Sequence, residues 1–139
     1  MTLDVDCSGA GGERLQWTMN MTYVNSYERD SSLAIIAGNY QDINAVLSIA
    51  GDGSYFSQDP VTNCVINGQV SIIDSNFDVY AVESTYSDCI GDYESLNGAV
   101  VLGLAMLDNS VSPEVLSILG TAELGSNAVI SVVQILERL

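Results

Sequence analysis

Apolar residues recur at every second position along this chain, in runs of about four to twelve residues, and short turns rich in Gly, Asn and Asp separate the runs. A period of two belongs to strands with one buried face, and connections this short join sequence neighbours as antiparallel hairpins. The alternation is plainest where Leu15, Trp17, Met19, Met21 and Tyr23 interleave with Gln16, Thr18, Asn20 and Thr22. Residues 43–50 and 54–57 form a hairpin across Gly51-Asp52-Gly53, whose glycines can take the positive φ of a tight turn. Residues 65–73, 77–86, 98–107, 115–122 and 128–139 read as further strands. In 98–107 the bulky set Val100, Leu102, Leu104 and Met106 alternates with Ala99, Gly103 and Ala105, and the bulky set is expected to point inward. The β-branched run at 129–133 favours a strand over an amphipathic helix at the C-terminus.

These segments predict a mostly β fold: an antiparallel meander of about eight strands closing into a small barrel, with a β-sandwich as the alternative. Closure removes the two exposed edges that an open meander leaves. It is expected to bring the first strand, around Trp17, beside the last, around Val133. One short helix is predicted at 31–37, N-capped by Asp30 and stopped by Gly38. A chain of 139 residues with 47% hydrophobic content fits a single domain over 1–139, with 1–12 as a flexible leader.

The chemistry is narrowed by what the composition lacks. There is no His and no Lys, so a Ser-His or Cys-His nucleophile pair, an imidazole metal ligand, a Schiff base and a P-loop cannot be written. The expectation is a protein that is not an enzyme, with no cofactor. The 18 acidic side chains against Arg14, Arg29 and Arg138 give a net charge of −15, a field that repels nucleic acid and anionic membranes. The longest apolar candidate, 99–107, is half the ~18–20 residues that a spanning helix needs. Gly51-Asp52-Gly53 and the group Asp88, Asp92 and Glu94 offer oxygen ligands, but neither follows a calcium-loop pattern, and turns use Asp and Gly for backbone reasons; no metal site is assigned. The expectation is a structural or protein-interaction module with a packed interior, and the alternative is a lipocalin-like barrel that binds a small apolar ligand. For the ligand-binding alternative, the candidate wall is Trp17 with Met19 and Met21, and Arg138 would lie across Trp17 as a cation–π lid.

Three cysteines, Cys7, Cys64 and Cys89, permit three single disulfides. Cys64 and Cys89 stand at the ends of consecutive predicted strands, where a bridge would staple neighbours, whereas Cys7 lies in a Gly-rich stretch; a Cys64–Cys89 bridge with Cys7 free is the favoured pairing. Such a bridge would contribute roughly 3 kcal/mol and belongs to an oxidising compartment. The N-terminus lacks the basic start and apolar run of a secretory signal, so the expected location is periplasmic or cell envelope if a leader was removed, and cytoplasmic otherwise.

The order Leu33-Ala-x-x-Ala37-Gly38-x-Tyr40, Leu47-x-Ile49-x-x-Asp52-Gly53, Cys64-x-x-Asn-Gly68 and Cys89 followed by a Gly-rich strand resembles small bacterial envelope and lipoprotein-like β domains of unknown function. The likeness covers 33–107. It implies a lipocalin-like (calycin) shape, export and the cysteine pair, although the Gly-x-Trp that opens true lipocalins is absent, since Leu15 and Gln16 precede Trp17. Non-reducing peptide mapping after alkylation is expected to recover Cys64 joined to Cys89 and Cys7 alkylated. Protein from its native compartment with both Cys64 and Cys89 alkylated would remove the argument for export.

Overall fold

The structure, a computed structural model, describes residues 2–8, 14–20, 28–124 and 128–139. Two strands, β1 (Thr2–Ser8) and β2 (Arg14–Asn20), pair with each other as a separate antiparallel sheet. A single helical turn, α1 (Leu33–Ile36), precedes eight more strands: β3 (Gly38–Gln41), β4 (Val46–Ile49), β5 (Ser54–Gln58), β6 (Val65–Ile72), β7 (Tyr80–Ser87), β8 (Val100–Asp108), β9 (Val115–Leu124) and β10 (Ala128–Arg138). These eight close into an antiparallel barrel in the order β10-β3-β4-β5-β6-β7-β8-β9. The barrel, the meander order and the C-terminal strand are as the sequence predicts, and the shape is compatible with a calycin.

The membership of the barrel differs from expectation. The Trp17 segment is not a barrel strand, because β2 finds its hydrogen-bonding partner in β1, the segment next to it in sequence. The place beside β10 is taken by β3, four residues that directly follow α1. The N-cap is Ser32, whose side chain accepts from Ile35 N, rather than Asp30. Within the proposed leader, 2–8 is the strand β1, and 9–12 lies outside the described residues.

The orientation of β8 is also the reverse of expectation. Val101, Ala105 and Leu107 are buried, while Leu102 is 59% and Leu104 50% exposed. Tyr40, Tyr55, Tyr80 and Tyr86 from β3, β5 and β7 already fill the interior, and β8 turns its smaller residues to it, with Ala105 the register partner of Tyr80. Gly103 faces Gly120 across β8 and β9, and a Cβ on Gly103 would lie 2.2 Å from the Leu119 carbonyl oxygen. On the far side, the Tyr55 ring lies over Gly68, its register partner, where a Cβ would meet it at 2.3 Å.

Both ends of the barrel are dressed. At one end Ile36 of α1 is fully buried as a plug, fixed by the Tyr40 hydroxyl donating to the Ile36 carbonyl at 2.6 Å and by Tyr80 bonded to Ser32. At the other, a 3-10 helix over Gly91–Leu96 and the Cys64–Cys89 pair, with sulfurs 2.10 Å apart, flank the mouth. Asn63 and Asp88, each the residue before a bridging cysteine, take positive φ of 56° and 57°, a conformation that Asn and Asp tolerate. Gly103→Ala is expected to lower stability by about 1–3 kcal/mol through overpacking, whereas Gly51→Ala, with nothing within 4 Å of the added Cβ, should leave it unchanged; thermal melting of the two variants checks this.

Candidate functional site

Three places on the barrel can be weighed as a site: the plugged end, the mouth and the outer wall. The plugged end is organised by Arg138. Its guanidinium bonds the carbonyls of Ile35 at 2.5 Å and Ala37 at 3.2 Å and the Tyr40 hydroxyl at 2.5 Å, and it pairs with Glu114 at 2.6 Å. It also lies 5.1 Å from the centre of the Tyr40 ring. Burial pushes the Tyr40 phenol up, opposed by the Arg138 hydrogen bond. Every donor direction of this arginine that is occupied points to the fold itself, so it acts as a structural clamp.

Asp78 stands at the same end. It is 3% exposed, and its Oδ2 has no hydrogen-bond partner. Burial raises its pKa above the ordinary carboxylate value, against the Leu107 backbone N–H and the charge of Arg29, which lower it, while Asp108 adds to the rise. Arg29 bonds Asn109 in the adjoining turn.

The mouth holds a pocket of about 180 Å³ lined by Ser57, Cys64, Ile66, Tyr86, Tyr93 and Gln134 among others. Small-molecule sites begin near ~300 Å³, so this volume suits a few waters or a very small polar molecule. Deeper in, Tyr55 and Ser84 are buried and hydrogen-bonded to each other; burial pushes the Tyr55 phenol up to about 12 despite that bond. Tyr86 is raised by burial as well.

The outer wall of β8, β9 and β10 is more aliphatic than that of β3–β6, whose outward positions are also uncharged but are mostly Ser, Asn and Gln. Its pleat aligns three outward rows: Leu104, Leu119 and Val133; Leu102, Thr121 and Ser131; Met106, Ser117 and Ile135. In a chain with 18 carboxylates, none of these nine positions carries a charge. Leu119, Val133 and Ile135 are each more than half exposed. A groove of about 370 Å³ runs between Leu102, Leu104, Leu119 and Val133 over Gly103 and Gly120. Exposed Glu83, Glu123 and Glu137 edge the patch, so an apolar centre sits inside a charged rim.

The structure does not bring the sequence-predicted set together as a barrel wall. Trp17 and Met19 lie on β2, at register positions opposite Val5 and Leu3. Met21 lies outside the described residues. The described ring partner of Arg138 is Tyr40. Asp52 accepts from Ser54 N and Oγ within its own turn, and Asp88 from Ser87. Among the described residues, no three His, Cys, Asp or Glu side chains are grouped to hold a metal ion. No helix of the described residues is long and apolar enough to cross a membrane. Sequence reasoning misses the outer wall because local alternation does not fix which face of β8 points inward; the signal it offers is the absence of charge from 99–107 and 115–122.

Compared with known proteins, the chain matches no protein-family model, no curated protein and no solved structure.

Because the folded-state pKa of Asp78 is raised, its contribution to stability is complete below the unfolded-state value and is lost as pH rises through the folded-state value. Asp78→Asn removes the ionisation. Its melting temperature relative to wild type should therefore climb as pH is raised from below 3.8 to neutral, which a pH series of thermal melts would test; a gap that does not change with pH would contradict it.

Proposed function

We propose that this domain is a non-enzymatic protein-interaction module of the bacterial cell envelope, working through the outer wall of β8, β9 and β10. The observation that carries the reading is the exposed aliphatic face of Leu102, Leu104, Leu119, Val133 and Ile135, where the outward positions of β3–β6 are mostly Ser, Asn and Gln. An apolar centre inside a polar rim is the anatomy of an interface that desolvates on binding a protein. Export is supported by the Cys64–Cys89 pair at disulfide distance and by the resemblance to envelope domains. The absence of His and Lys supports the non-enzymatic part.

A second reading, a lipocalin-like barrel that holds a small apolar ligand, has the mouth pocket as its support. Its 180 Å³ and its Ser57, Tyr86 and Gln134 lining favour the first reading. The test is residue-specific photo-crosslinking of the full chain in its native host, with the probe at Leu104, at Tyr93 by the mouth and at Phe56 on the other side of the barrel. A discrete adduct with a second polypeptide from Leu104 alone is expected. A small molecule retained by the purified protein in native mass spectrometry, with no adduct at Leu104, would replace this reading with the second.

A further inference from the structure

The hairpin of β1 and β2 and the outer wall of β8, β9 and β10 have complementary deficits. The hairpin register sets Leu3 opposite Met19, Val5 opposite Trp17 and Cys7 opposite Leu15, so one set of positions is wholly apolar. The alternate set, Thr2 with Asn20, Asp4 with Thr18, Asp6 with Gln16 and Ser8 with Arg14, is wholly polar. A two-stranded sheet is marginal in water unless such an apolar face packs on something. The barrel is closed, so it offers the hairpin no free edge to extend; it offers only faces. Of those, the wall around Leu104 and Leu119 is the most aliphatic, and it carries a groove of about 370 Å³ between Leu102, Leu104, Leu119 and Val133.

We infer that the chain's own β1–β2 hairpin is the intramolecular cover of this wall, laying its Leu15, Trp17 and Met19 positions over Leu104, Leu119 and Val133. The inference rests on the reading of that wall as the interaction surface, and it adds regulation: a protein partner must displace the hairpin to bind. Two arguments favour the same chain over a second copy. Twelve residues separate Asn20 from Leu33, a tether of up to about 40 Å, and β3, which follows, is hydrogen-bonded to β10, one of the three strands of the wall. A tethered segment acts at an effective concentration on the order of millimolar, whereas two copies must approach against −15 on each.

The experiment uses Trp17, the single tryptophan, as its reporter. In the full chain, at concentrations where sedimentation gives a monomer, selectively excited Trp17 should emit to the blue and resist acrylamide. Leu104→Glu and Leu119→Glu, at half-exposed outward positions, should shift the emission to the red and raise quenching several-fold. Phe56→Glu, outward on β5, should do neither. Circular dichroism verifies that the barrel persists, and Leu119→Ser gives the same direction if the glutamate disturbs folding. Solvent-like emission in the wild type overturns the proposal, and so does protection that ignores the Leu104 and Leu119 changes. Protection that appears only where sedimentation shows a dimer also overturns it, in favour of a second copy's hairpin. An intermolecular crosslink at Leu104 combined with solvent-exposed Trp17 would sink the cover and keep the interaction surface; a protected, Leu104-sensitive Trp17 without any crosslink would do the reverse.

Discussion

The barrel stays closed at its weakest seam because of Arg138. β10 and β9 pair along their lengths, from Ala128 opposite Leu124 to Glu137 opposite Val115. β10 and β3 meet only at Glu137 with Gln41 and Arg138 with Tyr40, continued by the Leu139 N–H to the Asn39 carbonyl at 2.9 Å. So short a ladder would leave the edges of β3 and β10 poorly joined. The guanidinium adds what the ladder lacks: it reaches the last carbonyls of α1, the Tyr40 hydroxyl on β3 and Glu114 before β9, tying plug, seam and turn into one unit. A hydrogen bond to a charged group contributes about 1.5–3 kcal/mol net of its exchange with water, and desolvation is partial here because the Arg138 side chain stays 26% exposed. Gly38 eases the approach, since a Cβ there would stand 3.3 Å from the Arg138 Nε.

Closure at that seam fixes the interior, and the interior fixes the exterior. Four buried tyrosines share the lumen with the small residues of β8 and β9 at inward parity, Gly103, Ala105, Gly120 and Ala122. A strand has two faces and one parity, so turning the small residues inward turns Leu102, Leu104 and Leu119 outward. The apolar outer wall is therefore coupled to core packing: the strands that yield most space inside carry their bulk outside. Lumen and surface could not be assigned independently.

That coupling marks the boundary of what the sequence makes legible. Local signals carry the hairpins: Gly51-Asp52-Gly53, the Asp74 turn and the Cys64 and Cys89 strand ends stand where period and turn chemistry place them. The β10 strand also follows from its β-branched run. What failed is non-local. β3 is Gly-Asn-Tyr-Gln, four residues with one buried side chain, and nothing in that tetrapeptide distinguishes a closing strand from a linker after a helix. The Trp17 segment alternates better than any other and yet lies outside the barrel, because alternation specifies a strand with one apolar face and not the surface that face meets. The inward parity of β8 depends on tyrosines contributed by three other strands, and no window on 98–107 contains them. The candidate site shared this fate: Arg138 was legible as the cation near the end of the last strand, but its aromatic partner, Tyr40, is brought to it only by closure.

An exposed apolar wall on a chain of this size invites self-association, and the charge distribution bears directly on that. Hydrophobic attraction acts when surfaces touch, whereas like charges repel over about 8–10 Å at ordinary salt. With −15 on each copy and Glu83, Glu123 and Glu137 around the wall, two walls meet repulsion before they meet each other. A segment of the same chain brought in by a tether, or a partner with basic groups at its margin, does not face that barrier in the same way: the tether removes the encounter problem, and opposite charge converts the rim from a barrier into a guide. The scarcity of cations and the apolar wall thus act together. The charge opposes the approach of a second copy, and what it opposes least is a tethered segment or a partner with basic margins.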